Sequence, residues 1–200
     1  MVFQTARLLV RPLQNADLDA FCALQADDEV MRYVTGAGLE ADESRRQLDR
    51  CVEAYSQPGN QRWVWAVAQR ADAAFIGTCA LIPSPPGAEL GYRLLRRCWG
   101  QGYGRELCEG LIAHAIRGRR LPALLARCDV RNTASVQILE RSALRFVGLS
   151  TDDAGNTDRL YRWAAAPQAD TSQSDTSPHP SPPTPATEVP HGRPTKPRRP

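Results

Sequence analysis

The segment richest in residues that could do chemistry is a glycine-rich loop, which reads Gly100-Gln101-Gly102-Tyr103-Gly104-Arg105. Glycines let a backbone approach an anion closely, and the first amides of a helix have no partner inside that helix, so they can bind one. Apolar residues then recur at helical spacing, at Leu107, Cys108, Leu111, Ile112, Ala115 and Ile116. The sequence therefore predicts an amphipathic helix whose N-terminus forms a binding site for a diphosphate, called the seat below. Glu106 and Glu109 are expected on the outer side of this helix.

Two common phosphate-binding motifs do not fit this loop. A dinucleotide fingerprint needs a third glycine where Arg105 stands, and the regular alternation of strands and crossover helices is missing. A Walker A loop needs a Gly-Lys-Ser/Thr ending, but the only lysine of the chain is Lys196. Arginines and backbone amides must therefore hold any phosphate, and no lysine in the folded part is available for Schiff-base chemistry.

Other segments stand in a definite order around this loop. They are Thr5 to Leu13 followed by Asp17-Leu18, then Glu89 to Leu94, then Trp99 to Gly104, then Asn132 to Arg141. In this order they resemble the GNAT acetyltransferase superfamily, and more specifically its RimJ/RimL-type branch, over about residues 2–166. The resemblance implies transfer of an acetyl group from acetyl-CoA to an amine, on a mixed sheet with a V-shaped splay between two strands.

The resemblance has two departures. Trp99 occupies a place where the superfamily usually has Gln or Arg, as this branch often allows. The segment Arg141-Ser142-Ala143-Leu144 stands where the family usually has Lys-x-Gly-Phe. The second departure bears on the local turn beside the pantetheine arm and leaves the phosphate seat untouched.

The resemblance assigns a cofactor role to three groups of residues. The diphosphate seat comprises Gln101, Gly102, Tyr103, Gly104 and Arg105. The backbone of Arg93, Leu94 and Leu95 faces the pantetheine amides and the thioester oxygen. The Asn132 side chain contacts the CoA arm, although asparagine at this place is also a good helix cap.

Two residues are candidates for proton transfer. Glu89 is the candidate base, because a carboxylate can take the proton of an amine directly or through water. A surface or strand-capping glutamate is the alternative. The resemblance places the Ser135 hydroxyl near the sulfur, where it could protonate the departing thiolate, but serine is also ordinary in a first helical turn. His114 lies on the flank of the cofactor helix, away from the phosphate end, and is interpreted as structural.

The acceptor side is less determined. The loop Asp28 to Val34 stands where the branch places its acceptor-facing segment, and its acidic side chains could attract an ammonium group, though a solvated loop is equally compatible. Trp63 and Trp65 share one face of a strand, a pattern more typical of a core than of a substrate platform. The acceptor is expected to be a primary amine, either a protein N-terminus or a small molecule.

Composition sets the remaining limits. Two hundred residues with 42% hydrophobic residues form one domain with some length to spare. The spare part is 167–200, which holds ten of the 16 prolines and ends in a basic segment. We expect a folded domain over 1–166 and a disordered tail, for which a PPII-like ligand or a nucleic-acid arm remains an alternative to a solubilising role.

Charge and cysteine usage exclude several classes of protein. The net charge is only +3, so the folded part carries no strong nucleic-acid signal. Six scattered cysteines without a Cys-x-x-Cys pair do not indicate a metal site or a disulfide framework. No leader or long apolar run is visible, so a soluble cytoplasmic protein without a membrane partner is expected. A homodimer is left open.

These residues require an α/β arrangement to position them. Strands are predicted at about 5–11, 62–68, 74–82, 89–94, 124–130, 145–149 and 158–165, with 83–87 as a break. Helices are predicted from an Asn15 cap, over 41–56, over 104–118 and from Asn132. The expected fold is a mixed sheet flanked by helices. The leading hypothesis is an N-acetyltransferase that works by direct attack in a ternary complex, and the alternative is a CoA-binding module with little catalysis, acting as a sensor or interaction protein.

Overall fold

The computed structural model describes residues 1–165, which form one mixed α/β fold. Its strands are β1 (Phe3–Gln4), β2 (Leu8–Pro12), β3 (Trp63–Gln69), β4 (Phe75–Ser84), β5 (Gly87–Leu94), β6 (Ala123–Asp129), β7 (Arg145–Thr151) and β8 (Thr157–Ala164). Its helices are α1 (Leu18–Gln25), α2 (Asp28–Met31), α3 (Ala41–Ala54), α4 (Tyr103–Ala113) and α5 (Thr133–Glu140). The predicted fold class is confirmed. The predictions for the tail lie outside the described residues.

All eight strands belong to one sheet, in the order β1-β2-β3-β4-β5-β6-β8-β7. Neighbouring strands are antiparallel except β5 and β6, which are parallel. The parallel ladder runs only from Ala88 opposite Leu124 to Leu90 opposite Ala126, although both strands continue further. The two strands therefore part beyond Leu90, and this is the expected V-shaped opening.

Helices cover both faces of the sheet, as β5 shows. Arg93 directs its guanidinium to Gln25 in α1 and Met31 in α2. Its neighbours Tyr92 and Leu94 lie beside the first turn of α4. Because successive side chains of a strand point to opposite faces, α1 to α3 cover one face and α4 with α5 covers the other.

The start of the first helix differs from the prediction. Asn15 is not the cap but the first residue of a short 3₁₀ turn, Asn15–Asp17, and α1 follows it. The organising side chain is the buried Asp17, which accepts hydrogen bonds from the Gln14 backbone at 2.9 Å and from Arg11 at 2.6 and 2.7 Å. Gln14 and Asp17 form a capping box at this helix start, and the Arg11 pair adds a contact from β2 to the same carboxylate.

The predicted break at 83–87 is shorter in the structure. β4 continues to Ser84, which pairs with Gly87 across a two-residue turn. A β-carbon on Gly87 would lie 1.9 Å from the Ala123 carbonyl oxygen, so only glycine lets β5 begin this close to β6. The cofactor helix also changes character near its end, because a π-helical segment, His114–Gly118, follows α4.

Candidate active site

The glycine-rich loop forms the predicted helix start. Gly102 caps α4 with a φ of +80°, a left-handed conformation that favours glycine. The first backbone bond of this turn runs from the Glu106 amide to the Gly102 carbonyl, at 3.2 Å. The amides of Tyr103, Gly104 and Arg105 therefore precede the helical ladder and point out of the helix start, where the helix dipole also favours an anion.

Arg7 ties this helix start to the opening strands. Its Nη1 donates to the Gln101 carbonyl at 3.0 Å, its Nε donates to a Glu106 carboxylate oxygen at 2.7 Å, and its guanidinium lies 4.5 Å from the centre of the Tyr103 ring. Thr5 donates its hydroxyl hydrogen to Glu106 at 2.5 Å. The loop conformation is therefore fixed from the β1–β2 connection, about a hundred residues away in sequence.

The expectation that Glu106 lies on the outer side of the helix is wrong. Its side chain is only 17% exposed and it joins α4 to Arg7 and Thr5. Burial acts to raise the pKa of this carboxyl, but hydrogen bonds from Thr5 and Arg7 outweigh burial and lower the pKa below its ordinary value. Periodicity on one helix could not show this, because both partners come from the chain's first residues.

Gly104 has a packing role in addition to its place in the seat. A β-carbon there would lie 3.0 Å from Cδ1 of Ile138 in α5, and 3.9 Å from side-chain atoms of Tyr92 and Leu94. The absence of a side chain therefore lets the first turn of α4 approach α5 and β5 closely. Bulk at this position displaces a neighbouring element, whether or not it also reaches the ligand.

The backbone at the end of β5 is partly used within the protein. The Leu95 amide donates to the Ile76 carbonyl at 2.8 Å, so it faces β4. Polar groups of successive strand residues face opposite edges, so the backbone of Leu94 faces the V-shaped opening. There its carbonyl accepts a 2.8 Å hydrogen bond from Nε1 of Trp99. Trp99, which the sequence marked only as a departure, thus satisfies the last carbonyl of β5 through its indole nitrogen.

The start of α5 contains both Asn132 and Ser135. Oδ1 of Asn132 accepts a hydrogen bond from the Ser135 amide at 3.1 Å, so Asn132 is the helix cap. The buried hydroxyl of Tyr92 in β5 lies close to the Ser135 side chain. Burial raises the pKa of this phenol, so it stays protonated at neutral pH.

The turn after α5 forms without the family's glycine. Oγ of Ser142 donates to the Leu139 carbonyl at 2.7 Å and accepts from the Leu144 amide at 3.1 Å. These two bonds make a serine-based turn that satisfies groups at the helix end. The departure at Arg141 to Leu144 thus has a local structural substitute.

Glu89 lies on the face of β5 that α1 to α3 cover. Its carboxylate accepts two hydrogen bonds from Arg127 of β6, at 3.0 and 3.1 Å, and remains 26% exposed. The bond from Arg127 to Glu89 raises the pKa of that guanidinium. A second carboxylate, Asp158 of β8, lies nearby, and burial raises its pKa. Sequence reasoning missed both neighbours because strand pairing brings them together.

The predicted acceptor loop reaches the connection between β6 and α5. The Tyr33 hydroxyl donates to the Arg131 carbonyl at 3.3 Å, and Val34 is 55% exposed. The two acidic side chains of this loop already have partners, since Asp28 accepts from the Gly38 amide at 2.8 Å and Glu29 pairs with Arg32.

The aromatic residues pack as the sequence indicated. Trp65 is 2% exposed and stacks on Trp63 with ring centres 6.1 Å apart. His114 stacks on Phe3 at 5.1 Å and meets the edge of Trp65 at 5.7 Å. Burial and the nearby Arg119 lower the pKa of His114, which keeps this imidazole neutral inside the packing.

Residues 1–165 hold neither a candidate metal site nor a helix suited to spanning a membrane. No three His, Cys, Asp or Glu side chains lie close enough together to hold a metal ion in this part of the chain. None of its helices combines the length and apolar character that crossing a membrane requires.

Known proteins share this fold and sequence pattern. A family profile described as "Acetyltransferase (GNAT) domain" matches residues 7–145. "Uncharacterized N-acetyltransferase p20" of Bacillus licheniformis is 28% identical over 151 residues, which are 74% of this chain and 84% of that protein.

Solved structures of acetyltransferases are also similar. A GNAT-family acetyltransferase from Bacillus anthracis superposes with a TM-score of 0.71 at 17% identity, over 80% of this chain and 96% of that one. RimL, a ribosomal L7/L12 alpha-N-protein acetyltransferase in complex with coenzyme A, gives 0.70 at 15% identity, over 82% of this chain and 97% of that one. At these identities the two structures establish a shared fold.

Proposed function

Because the chain belongs to the GNAT acetyltransferase family, we propose that it transfers the acetyl group of acetyl-CoA to a primary amine in a ternary complex. The observation that carries this proposal is the juxtaposition of the α4 helix start with the opening between β5 and β6. One element offers free amides to a diphosphate, and the other offers a strand edge to an extended arm. Acetyl-CoA supplies the acetyl group as an activated thioester.

The residues of the loop fit this ligand. Gln101 to Arg105 would hold the diphosphate through backbone amides, with Gly102 providing the left-handed turn. The backbone of Leu94, between Arg93 and Leu95, would meet the pantetheine arm at the splayed edge of β5. Asn132 would reach the same arm with its side-chain amide nitrogen, because Oδ1 is used by the helix cap.

Direct attack by the amine is favoured over an acetylated enzyme. A covalent route needs a reactive nucleophile, and thiolates are formed where the pKa of a cysteine is lowered. Burial instead raises the pKa of five cysteines, namely Cys51, Cys79, Cys98, Cys108 and Cys128. Their thiols therefore stay protonated and poorly nucleophilic at neutral pH.

Glu89 is the proposed base and Ser135 the proposed donor to the departing thiolate. The Arg127 pair orients the Glu89 carboxylate and also competes for its lone pairs. Deprotonation of the amine then proceeds with this pair loosened or through a water at the exposed edge of the carboxylate. Ser135 lies in the first turn of α5, beside the Tyr92 phenol, on the face opposite to Glu89.

We also propose membership of the RimJ/RimL-type branch, a cytoplasmic location and an acceptor that is a protein N-terminus or a small amine. The fold similarity to RimL, named for acetylation of a ribosomal protein, supports the proposed branch and the proposed acceptor. The segment order Glu89 to Leu94, then Trp99 to Gly104, supports the branch independently. A homodimer is compatible with these proposals.

Thiol release in the presence of acetyl-CoA and a panel of primary amines tests the proposal. The expected result is amine-dependent release of CoA, with one acetylated amine formed per thiol by mass spectrometry. Binding of CoA by calorimetry without turnover on any amine would contradict it and favour a CoA-binding module that acts as a sensor.

A further inference from the structure

The Arg93 guanidinium lies between β5 and the helices α1 and α2, on the α1–α3 face of the sheet. Its Nη1 donates to Oε1 of Gln25 at 2.8 Å and lies 3.2 Å from Sδ of Met31. Both partners are buried, at 0% and 1% exposure. Gln25 in turn donates its amide to Gln47 of α3 at 3.0 Å, so neighbouring helices fix the position of the guanidinium.

This cation has no counter-ion within residues 1–165. The ion pairs of this part of the chain do not include Arg93, and the groups around it are an amide, a thioether and the Cys51 thiol. Burial raises the pKa of Cys51, so that thiol is neutral at pH 7. Removal of a charge from water without a partner is costly, and burial accordingly lowers the pKa of Arg93, although an arginine stays protonated.

One edge of the guanidinium remains available. Nε and Nη2 form no hydrogen bond within residues 1–165, and neither belongs to the fully enclosed polar atoms of this part of the chain. These two nitrogens are the pair that binds a carboxylate in a fork. The structure thus holds Nη1 in place and leaves Nε and Nη2 without a partner among the described residues.

The open edge lies on the same face as the proposed base. Glu89, Gly91 and Arg93 alternate along β5, so all three point to the α1–α3 face. A β-carbon at Gly91 would meet nothing within 4 Å, which leaves a gap between the two charged side chains. The Cα atoms of Glu89 and Arg93 are about 13 Å apart along an extended strand.

We propose that Arg93 binds a carboxylate carried by the acceptor, so that the preferred substrate is an amine that bears an acidic group a few bonds away. The carboxylate occupies the fork of Nε and Nη2, the carbon chain lies over Gly91, and the amine lies toward Glu89. The proposal rests on the function proposed above. The same chemistry is offered by a free amino acid and by an acidic side chain near a peptide N-terminus.

Matched acceptors measure this preference directly. The ω-amino acids from 4-aminobutyrate to 6-aminohexanoate are compared with their carboxamides, which keep the amine and lose the charge. For the best chain length, kcat/KM is expected to be about 10- to 100-fold higher for the acid, the usual contribution of a charge-assisted hydrogen bond. A tetrapeptide pair with Glu or Gln at its second position distinguishes a peptide source from a free one.

Variants at Arg93 assign the preference to this side chain. Arg93→Met keeps an unbranched side chain of about the length of the arginine stem and removes the guanidinium, and circular dichroism and Tm check that the fold survives the loss of the bond to Gln25. The acid-to-amide ratio is expected to fall to about 1 in this variant and to an intermediate value in Arg93→Lys, which keeps the charge and loses the fork. Arg45→Met, an equal charge change at an exposed position of α3, keeps the wild-type ratio.

The ratio of kcat/KM for the acid to kcat/KM for its carboxamide tests the Arg93 inference separately from the proposed function. Turnover of acids and amides at equal rates, or a ratio unchanged in Arg93→Met, would overturn the inference and leave the acetyltransferase intact. If no amine in the panel is turned over, the proposed function fails, and calorimetry of 5-aminovalerate against its amide on CoA-loaded protein still tests the Arg93 site. Equal affinities in that titration would overturn it.

Discussion

The two halves of the candidate active site are built from different parts of the chain. The proposed cofactor half, Gln101 to Arg105, consists mainly of backbone amides held in a left-handed turn and a helix start. The proposed acceptor half, on the α1–α3 face, consists of the side chains of Glu89 and Arg93. The cofactor half should therefore be sensitive to added bulk and backbone strain, and the acceptor half to loss of a charge at constant shape.

The largest effect is expected at Glu89. Glu89→Gln keeps the shape and removes the basic oxygen, so kcat/KM should fall by ~10² or more at neutral pH while CoA affinity stays constant. The deficit should shrink at high pH, where the free amine is abundant. Initial rates across a pH series measure both.

Arg127→Gln is the matched control for Glu89, because it breaks the same ion pair from the other side. If Glu89 served only that pair, the two variants would lose activity equally. A base role predicts a much larger loss for Glu89→Gln, and full activity in that variant would remove Glu89 from the mechanism.

On the cofactor side, Gly102→Val should weaken CoA binding at least about tenfold. The φ of +80° is strained for a β-branched residue, so the turn that aims the amides would change. Gly155→Val imposes the same strain at a φ of +82° in the β7–β8 turn and should leave CoA affinity unchanged. Calorimetric Kd values that are equal in the two variants would remove the loop from the cofactor site.

Gly104→Val should also weaken CoA binding by about tenfold, but for a different reason. The added bulk meets Cδ1 of Ile138, so it pushes the α4 helix start away from α5. Ile138→Ala in the same chain should restore much of the affinity. If the affinity for CoA stays low in the double variant, the valine side chain clashes with CoA and not with Ile138.

A smaller effect concerns the tie between Glu106 and Arg7. The folded pKa of Glu106 lies below its ordinary value of 4.5, so its contribution to stability is present above that pH and is lost as the pH falls through the folded pKa. Glu106→Gln should therefore cost about 1–3 kcal/mol of unfolding free energy at pH 7, and the difference should vanish in acid. Urea unfolding at several pH values measures it.

Glu109→Gln provides the comparison for Glu106 on the same helix. Its exposed pair with Arg105 should contribute under about 0.5 kcal/mol. If Glu109→Gln lowered the free energy of unfolding as much as Glu106→Gln, the contacts of Glu106 with Thr5 and Arg7 would not explain the loss.

The smallest effect is expected outside both halves. Truncation after Ala166 should leave activity and Tm nearly unchanged, because residues 167–200 offer mainly Pro, Ser, Thr and Asp and few apolar side chains. Truncation into β8 should cost several kcal/mol, since Tyr161 is fully buried. Loss of acetyl transfer on removing the tail alone would show that it contributes to the acceptor half.

The same comparison explains what the sequence could predict. The longer strands and helices and the glycine-rich turn follow local rules of periodicity and backbone conformation, and those predictions are confirmed within a few residues, whereas β1 and α2 were not predicted. The tie of Glu106 to Arg7 depends on partners 99 residues apart in sequence, which only folding brings together. The same is true of Arg93, whose burial against Gln25 and Met31 no local pattern encodes.

The central claim is acetyl transfer by direct attack in a ternary complex, and an initial-rate matrix tests it most directly. Rates are measured while acetyl-CoA and an accepted amine are varied together, and the protein mass is recorded after incubation with acetyl-CoA alone. Direct attack predicts intersecting lines in double-reciprocal plots and no acetyl group on the protein. Parallel lines together with an acetylated cysteine would contradict it.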